Sequence, residues 1–466
     1  MPQPLRALAV VLAIALASLG GAIYLARERV QGPALVADSG RPALVDLATL
    51  LRDPRAADER LVDDAFTQVE ETYYKTVDPS VMLGGERREL LAVIRRHGIV
   101  HPALPVFSAT GNEDRDLTAL NADLAAAQRR YGTSISHIEL TEAAISGMLA
   151  SLGDPYTTYL SPSEIDSLRE SLSGGDFGGI GVLIQTDTAG RLIVEPFKGT
   201  PAQRSGVRFG DRVVAVDGRP IAGLSIDSVE RLIRGPIGSM VRLDLVSPGA
   251  GDTHTVSIVR ARIQVPTVAS RMEGRFEYIA LGEFGSTSFD EVRRALLAGK
   301  AAGARGYIFD LRDNGGGLVD AAVQISSLFI PNGPIVSTVD RFGKRKVDEA
   351  TGNYLGARPL VVLVNRYTAS ASEITAGAIQ DDKVGTLIGE RTFGKGVVQS
   401  IYGLSDGGAL KITTDRYETP LGRDIQHRGI EPDIVVDQPA DKPIIDTPKD
   451  LQLNAAKALL RQLAQR

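Results

Sequence analysis

The chain has no cysteine, no tryptophan and only five histidines among its 466 residues. The missing thiols exclude disulfides, thiolate metal sites and cysteine nucleophiles. Histidine-based acid–base chemistry has little to draw on, because His427 is the only imidazole in the last 200 residues. No long basic run appears and the net charge is −5, which argues against a nucleic-acid partner. Nor is the chain short of core material: hydrophobic residues make up 43% and charged residues 23%, as in ordinary globular proteins. Its length leaves room for about two to four domains.

One long hydrophobic run is present. Ala7 to Ala26, "ALAVVLAIALASLGGAIYLA", carries no charge and follows Arg6. As a helix this run would span ~30 Å, enough for a bilayer. Ala15-Leu16-Ala17 also offers a small-x-small cleavage site. The segment therefore reads as a signal peptide or as an uncleaved inner-membrane anchor. Its continuation past Ala17 favours the anchor. Either reading implies export to the periplasm or another extracytoplasmic space.

Beyond a polar linker the pattern is helical. "LVDDAFTQVEETYY" sets Leu61, Phe66, Val69 and Tyr73 at helical spacing, and "ELTEAAISGMLASL" (139–152) is a second helix stopped by Gly153 and Pro155. Residues 82–137 are heterogeneous, with one further helix expected in "DLTALNADLAAAQRRYG". A glycine-rich joint, "SLSGGDFGG", leads into short strands such as "RLIVEPF", "DRVVAVDG" and "VRLDLVS". Two short helices interrupt them. One has Thr200 as N-cap, Pro201 at its first position and Gly206 as its stop; the other puts Ile226, Val229 and Ile233 on one face. From Tyr278 onward strands and helices alternate, and "PLVVLV" is apolar throughout, as in a sheet covered on both faces. An amphipathic helix closes the chain.

The chemistry gathers in this last region. "PLVVLV", the turn "NRYTAS" and the helix "SEITAGAIQ" form a strand–turn–helix that would present Ser370 at a helix N-terminus. Ser370-x-x-Glu373 fits a capping box equally well, so Ser370 reads either as a nucleophile or as a cap. "DNGGG" (313–317) would let backbone approach a ligand, and with Ala371 N–H its Gly315 or Gly316 would form an oxyanion hole. "GERTFGK" imitates a phosphate loop, but Gly396 stands where Ser or Thr is needed and a strand is expected to follow, which argues against nucleotide binding. Lys395 is then either a surface lysine in a hairpin or a base. As a base its pKa, ~10.4 unperturbed, must fall by ~3 units through burial.

The ordered set "LGDPYTTYLSPSE", "FGGIGVLI", "GTPAQRSGVRFGDRVVAVDG", "RGPIGS", "DLRDNGGG", "VNRYTASASEI", "GERTFGKGVVQ" and "TPLGRDIQHRGIEPDI" spans most of Thr141 to Val436. With it the chain resembles the carboxyl-terminal processing peptidases, or tail-specific proteases. The resemblance implies a multidomain α/β protein. Residues 1–26 would be the signal or anchor helix, and 27–165 a helical arm with an insertion at 82–137. Residues 166–262 would be a PDZ domain, 263–440 a crotonase/ClpP-like serine peptidase core and 441–466 a C-terminal helix.

The resemblance also implies roles. Ser370 would be the nucleophile, Lys395 the general base and Gln399 the residue orienting that lysine. A regular strand from 395 to 399 spans ~13 Å, so this orientation requires a bend, which the flanking glycines allow. Gly179, Ile180, Gly181 and Val182 would hold a substrate's terminal carboxylate, with the tail added beside "GVLI" against the Ile226–Val229–Ile233 face. Arg234 matches a position linked to gating. Asp381 matches an acid found near some family sites but reads as an ordinary helix-end aspartate. The expected partners are proteins with apolar C-terminal tails, an activating or adaptor protein and a second copy in a homo-oligomer. No cofactor or metal is expected. Two rival functions remain at this level: an inert PDZ scaffold or chaperone, and an acyl-thioester enzyme on a crotonase-like core.

Overall fold

Capping and packing set the helices of the arm. Asp78 accepts the Ser80 N–H and Pro79 takes the first helical position, which starts α2 (Pro79–Arg96) after α1 (Pro54–Thr72). Asn112 caps α3 (Glu113–Tyr131) and Ser136 caps α4 (His137–Ala150). Close approach of α2 to α4 requires glycine on both. A Cβ on Gly85 would lie 2.3 Å from the Gly147 carbonyl oxygen, and one on Gly147 2.6 Å from the Gly85 oxygen. The four helices bury Phe66, Met82, Leu90, Leu120, Leu124 and Ile145 in one core. Residues 82–137, left heterogeneous by the sequence, thus supply α3 and most of α2 to that core.

The computed structural model describes residues 22–24, 54–105, 110–172, 177–187, 190–197, 199–263, 266–438, 445 and 447–465. The expected N-terminal helix lies outside these residues except for Ala22–Tyr24. These three form a short strand, β1, parallel to Val398–Ser400 rather than a helical turn. No helix among the described residues is long and apolar enough to cross a membrane.

The chain divides into two compact units. One comprises 167–267 with 285–291; the other holds the remainder. β2 (Thr158–Leu160) and α5 (Pro162–Leu172) follow the arm. In the smaller unit, β3 (Phe177–Gly179) pairs with β10 (Ala261–Ile263). The unit's main sheet has the order β4-β5-β6-β8-β9: Val182–Thr186, Leu192–Pro196, Asp211–Val216, Met240–Val246 and His254–Val259. A two-residue strand, β7 (Arg219–Pro220), pairs with β6. Helices α6 (Pro201–Arg204) and α7 (Ile226–Ile233) complete it. Val229 and Ile233 bury with Ile180, Ile184 and Leu243. The buried Arg260 guanidinium donates to the Ile233 and Leu232 carbonyls, where a cation suits the helix C-terminus.

The larger unit stacks two sheets around helices. One sheet has the order β11-β12-β13-β16-β17-β20: Val268–Glu273, Phe276–Leu281, Tyr307–Asp310, Leu360–Val364, Thr386–Gly389 and Ile434–Val435. All its pairings are parallel except β11 with β12. Every residue of β16 is buried, as its unbroken apolar run predicts. The other sheet runs β1-β18-β19-β14-β15, with β18 at Val397–Gly403, β19 at Ala409–Glu418, β14 at Pro334–Val339 and β15 at Arg345–Glu349; β2 joins β19. Between these elements run α8 (Ser288–Ala301), α9 (Val319–Ser326) and α10 (Ala371–Asp381). α9 and α10 touch each other, and α10 reaches both β14 and β17, so it bridges the two sheets. The C-terminal helix α11 (Leu451–Leu463) covers the first sheet with Leu453, Ala456 and Leu460.

Candidate active site

The turn after β16 is built from side chains that bond back to the backbone. Thr368 Oγ1 donates to the Leu311 carbonyl at 2.9 Å and accepts the Asn365 N–H at 2.9 Å. Ser370 then opens α10 at φ 61°, ψ −119°. This conformation costs an ordinary residue about 1–3 kcal/mol and survives only where the surroundings enforce it. Tyr417, wholly buried, donates its hydroxyl to the Ser370 carbonyl at 3.1 Å. The strand–turn–helix reading is correct, and Ser370 is buried in a bent, held backbone.

Above it runs the glycine loop. Asn314 ties the two together: its carbonyl accepts the Ala369 N–H and the Ser372 hydroxyl, each at 3.0 Å. Its side chain donates to Leu281 O and accepts the Gly316 N–H at 2.9 Å. A Cβ on Gly316, at φ 108°, would lie 2.8 Å from Ser370 Cβ and 2.9 Å from Ala371 N. Gly316 therefore supplies room, and its N–H is already committed to Asn314. Gly315 N–H and Ala371 N–H remain the oxyanion candidates, the latter as a first-turn donor without an intrahelical acceptor.

Glu373 joins the serine to the lysine. Its carboxylate is fully buried and accepts the Ser370 N–H and the Lys395 N–H, each at 2.9 Å, on one oxygen. The other oxygen accepts the Gly394 N–H at 2.8 Å and the Thr392 hydroxyl. Burial raises its pKa, and these donors oppose the rise. The sequence marked Glu373 only as the third residue of a capping box, but its reach to 392–395 is a tertiary contact that local spacing does not reveal.

Lys395 is 2% exposed, not a surface hairpin lysine. Its pKa falls to about 7, first because burial removes water and next because Lys411 lies near; Asp154 and Glu373 oppose the fall. The Tyr156 ring centroid stands 4.2 Å from Lys395 Nζ. Gln399 is fully buried, donates its amide nitrogen to Thr413 Oγ1 at 3.2 Å and leaves Oε1 without a partner. The β18–β19 register shifts between Val398 and Gln399, so the chain from 395 to 399 is not a regular strand.

The remaining candidates are dispersed. Asp381 ends α10, pairs with Arg423 and accepts the Leu421 N–H at 2.9 Å, a structural role. His427 is exposed, and its backbone N–H donates to the Gly394 carbonyl at 2.8 Å. In the smaller unit Ile180 and Gly181 cross from β3 to β4. Their carbonyls accept Ala202 N–H at 2.9 Å and Thr200 Oγ1 at 3.0 Å. Thr200 thus uses its hydroxyl on Gly181 and Phe197 rather than as a cap. Gly181 lies at φ 75°, where a Cβ would come within 2.4 Å of the Thr200 side chain. Val182 opens β4, which among the described residues pairs only with β5 and so stands at one edge of the sheet. Arg234, at the end of α7, makes a half-exposed pair with Glu230 at 3.6 Å. Among the described residues no cluster of His, Asp or Glu has metal-site geometry.

Comparison with known proteins shows the family. A model of peptidase family S41 matches residues 275–436, and a PDZ-domain model matches 193–247. The carboxyl-terminal-processing protease of Synechocystis sp. is 40% identical over 330 residues, covering 69% of this chain and 77% of that relative. The chain belongs to the carboxyl-terminal processing protease family. It is a peptide-bond hydrolase with a PDZ domain. The carboxy-terminal processing protease CtpA of Bacillus subtilis is 35% identical over 376 residues, 78% of this chain and 80% of that one. A solved photosystem II D1 C-terminal processing protease is 32% identical, with TM-score 0.46, covering 82% of this chain and 93% of that one. A model of the activating protease CtpB N-terminal domain matches residues 107–163 of the arm.

Proposed function

We propose that the protease is a serine endopeptidase with a Ser/Lys dyad that binds C-terminal tails of extracytoplasmic proteins through its PDZ unit and cleaves upstream of them. Neutral Lys395 accepts the Ser370 hydroxyl proton as the oxygen attacks the substrate carbonyl, and Gln399 orients the amine. Gly315 and Ala371 N–H groups receive the oxyanion. The ammonium returns its proton to the leaving amine, and water then releases the acyl group by the reverse path. The observation that carries this reading is the meeting of the Ser370 and Lys395 backbones on one Glu373 oxygen, beside a lysine whose pKa is about 7.

The same proposal divides the labour along the chain. Residues 166–262 recruit substrate and 263–440 cut it. The tail carboxylate sits at Gly179, Ile180, Gly181 and Val182, and the tail adds to the open edge of β4 beside α7. Arg234 relays occupancy of this site to the catalytic unit. An activating protein and a second copy act on the arm, and the apolar run 7–26 directs export of the chain.

Casein digestion by wild type, Ser370→Ala and Lys395→Arg tests the dyad. Arginine keeps the charge but cannot be deprotonated, so both variants should lose at least about a thousand-fold in kcat. His427→Ala should retain substantial turnover. Normal cleavage by Lys395→Arg with loss in His427→Ala would replace the dyad with a histidine mechanism. Absence of any peptide cleavage by wild type would favour the inert scaffold.

A further inference from the structure

The motif "LGDPYTTYL" has no part in the mechanism above, yet the fold brings it to the lysine. Gly153, at φ 67°, ends the last arm helix, and a tight turn follows. Asp154 holds that turn by accepting the Tyr156 N–H at 3.0 Å and the Thr157 hydroxyl at 2.7 Å. Thr157 Oγ1 in turn accepts the Thr413 N–H at 3.0 Å, and Thr413 is the residue that accepts from the Gln399 amide. Thr158–Leu160 then pairs with Ala409–Lys411. Thr157 and the strand after it thereby clamp the C-terminal side of the turn to β19, Asp154 closes the turn itself, and Tyr156 lays its ring over Lys395 Nζ at 4.2 Å.

We propose that Tyr156 is a positioning residue for the general base: its ring, fixed by the Asp154–Thr157 clamp, shields the Lys395 amine from water and holds it in place. The proposal rests on the Ser/Lys reading and adds the arm's last turn to the site. A ring face has two opposed effects on an amine. It attracts the ammonium form, and it excludes the water that the ammonium needs. Burial is the largest influence on Lys395, and the ring standing over Nζ is part of that burial, so we take exclusion as the stronger of its two effects. The other charges facing the amine are Lys411 from β19, which disfavours the ammonium, and Asp154 and Glu373, which favour it. Losing the ring should therefore return water to the amine and raise its affinity for protons.

The test is the pH profile of kcat for the full chain with Tyr156→Ala, Tyr156→Gln and Tyr156→Phe. The Ala and Gln variants should move the acid limb alkaline by about one unit, which cuts turnover at pH 7 roughly five-fold and restores it near pH 9. Tyr156→Phe keeps the ring and should keep the wild-type profile. A folded Ala or Gln variant whose limb stays put, or a Phe variant as defective as Ala, overturns the proposal while leaving the dyad intact. Acetylation of Lys395 against pH in a Ser370→Ala background, read by peptide mapping, follows the amine without turnover. There Tyr156→Gln should shift the midpoint the same way, and an unshifted midpoint overturns the proposal. Loss of the dyad itself would show separately, as cleavage by Lys395→Arg.

Discussion

Ser370 and Lys395 are both unusual residues, one by its backbone and one by its solvation. Ser370 sits at a positive φ that glycine would adopt with less strain. Ser370→Ala should abolish proteolysis while changing stability by roughly 1 kcal/mol or less. Ser370→Gly should be equally inactive but should melt higher than Ser370→Ala, by an amount equivalent to about 1 kcal/mol, because the strain is released. Scanning calorimetry of the pair decides this, and equal melting would remove the strain argument. In the proposed dyad Lys395 sets the pH dependence. Its pKa is lowered to about 7, so the amine is protonated and inactive below that value. Activity should rise with pH through about 7. A profile flat from pH 5 to 9 would sink the assignment.

Elements bring these residues together by close backbone approach. The loop 313–317 lies on the turn 365–371 through Asn314 and through the Asp313–Asn365 side-chain pair at 2.8 Å. Gly316 is the contact point. Gly316→Ala would force a Cβ to within 2.8 Å of Ser370 Cβ, and its φ of 108° suits only glycine. We expect this variant to fold, with kcat reduced on the order of a hundred-fold, since small displacements of a reacting group carry that cost. Steady-state kinetics with a far-UV spectrum checks it, and wild-type kcat would show that the contact is dispensable. In the smaller unit the open edge of β4 and the turn at Gly181 form the proposed tail site. Amidating a tail peptide removes the anionic end that backbone N–H groups would bind. Its affinity by calorimetry should fall, and equal binding of acid and amide would dismiss the carboxylate site.

At the scale of the whole molecule, the C-terminal helix is pinned to the core by buried charge. Arg312 donates to Asp310 and to Asp450, and all three are nearly or fully buried. Tyr278 adds a bond to Asp310 at 2.7 Å, while Asp450 caps α11 through the Leu453 N–H. Removing one partner of such a set leaves charges buried without compensation, typically at a cost of about 3–5 kcal/mol. Arg312→Ala should therefore lower the melting temperature markedly and disturb the adjoining 313–317 loop. An unchanged denaturation midpoint would mean that water replaces the guanidinium. The network was invisible in the sequence because its members lie in "DLRD" and at 450, joined only by the fold.

Much of the site was legible along the chain. The apolar strand before Ser370, the glycines at 315–317 and the small residues around Lys395 each follow from local needs: burial, close approach and positive φ. Periodicity likewise set the arm helices and the buried strand β16. The sequence alone therefore determined which groups could react and on which turns they stand. The tertiary structure decided what state they are in. Glu373 gathers Ser370 and Lys395, a shift in strand register breaks the regular path to Gln399, and Tyr156 and Lys411 converge on one amine from distant segments. A lysine's charge depends on how much water reaches it and which charges face it. Both are set by residues far away in the chain, so only the folded molecule lowers the Lys395 pKa.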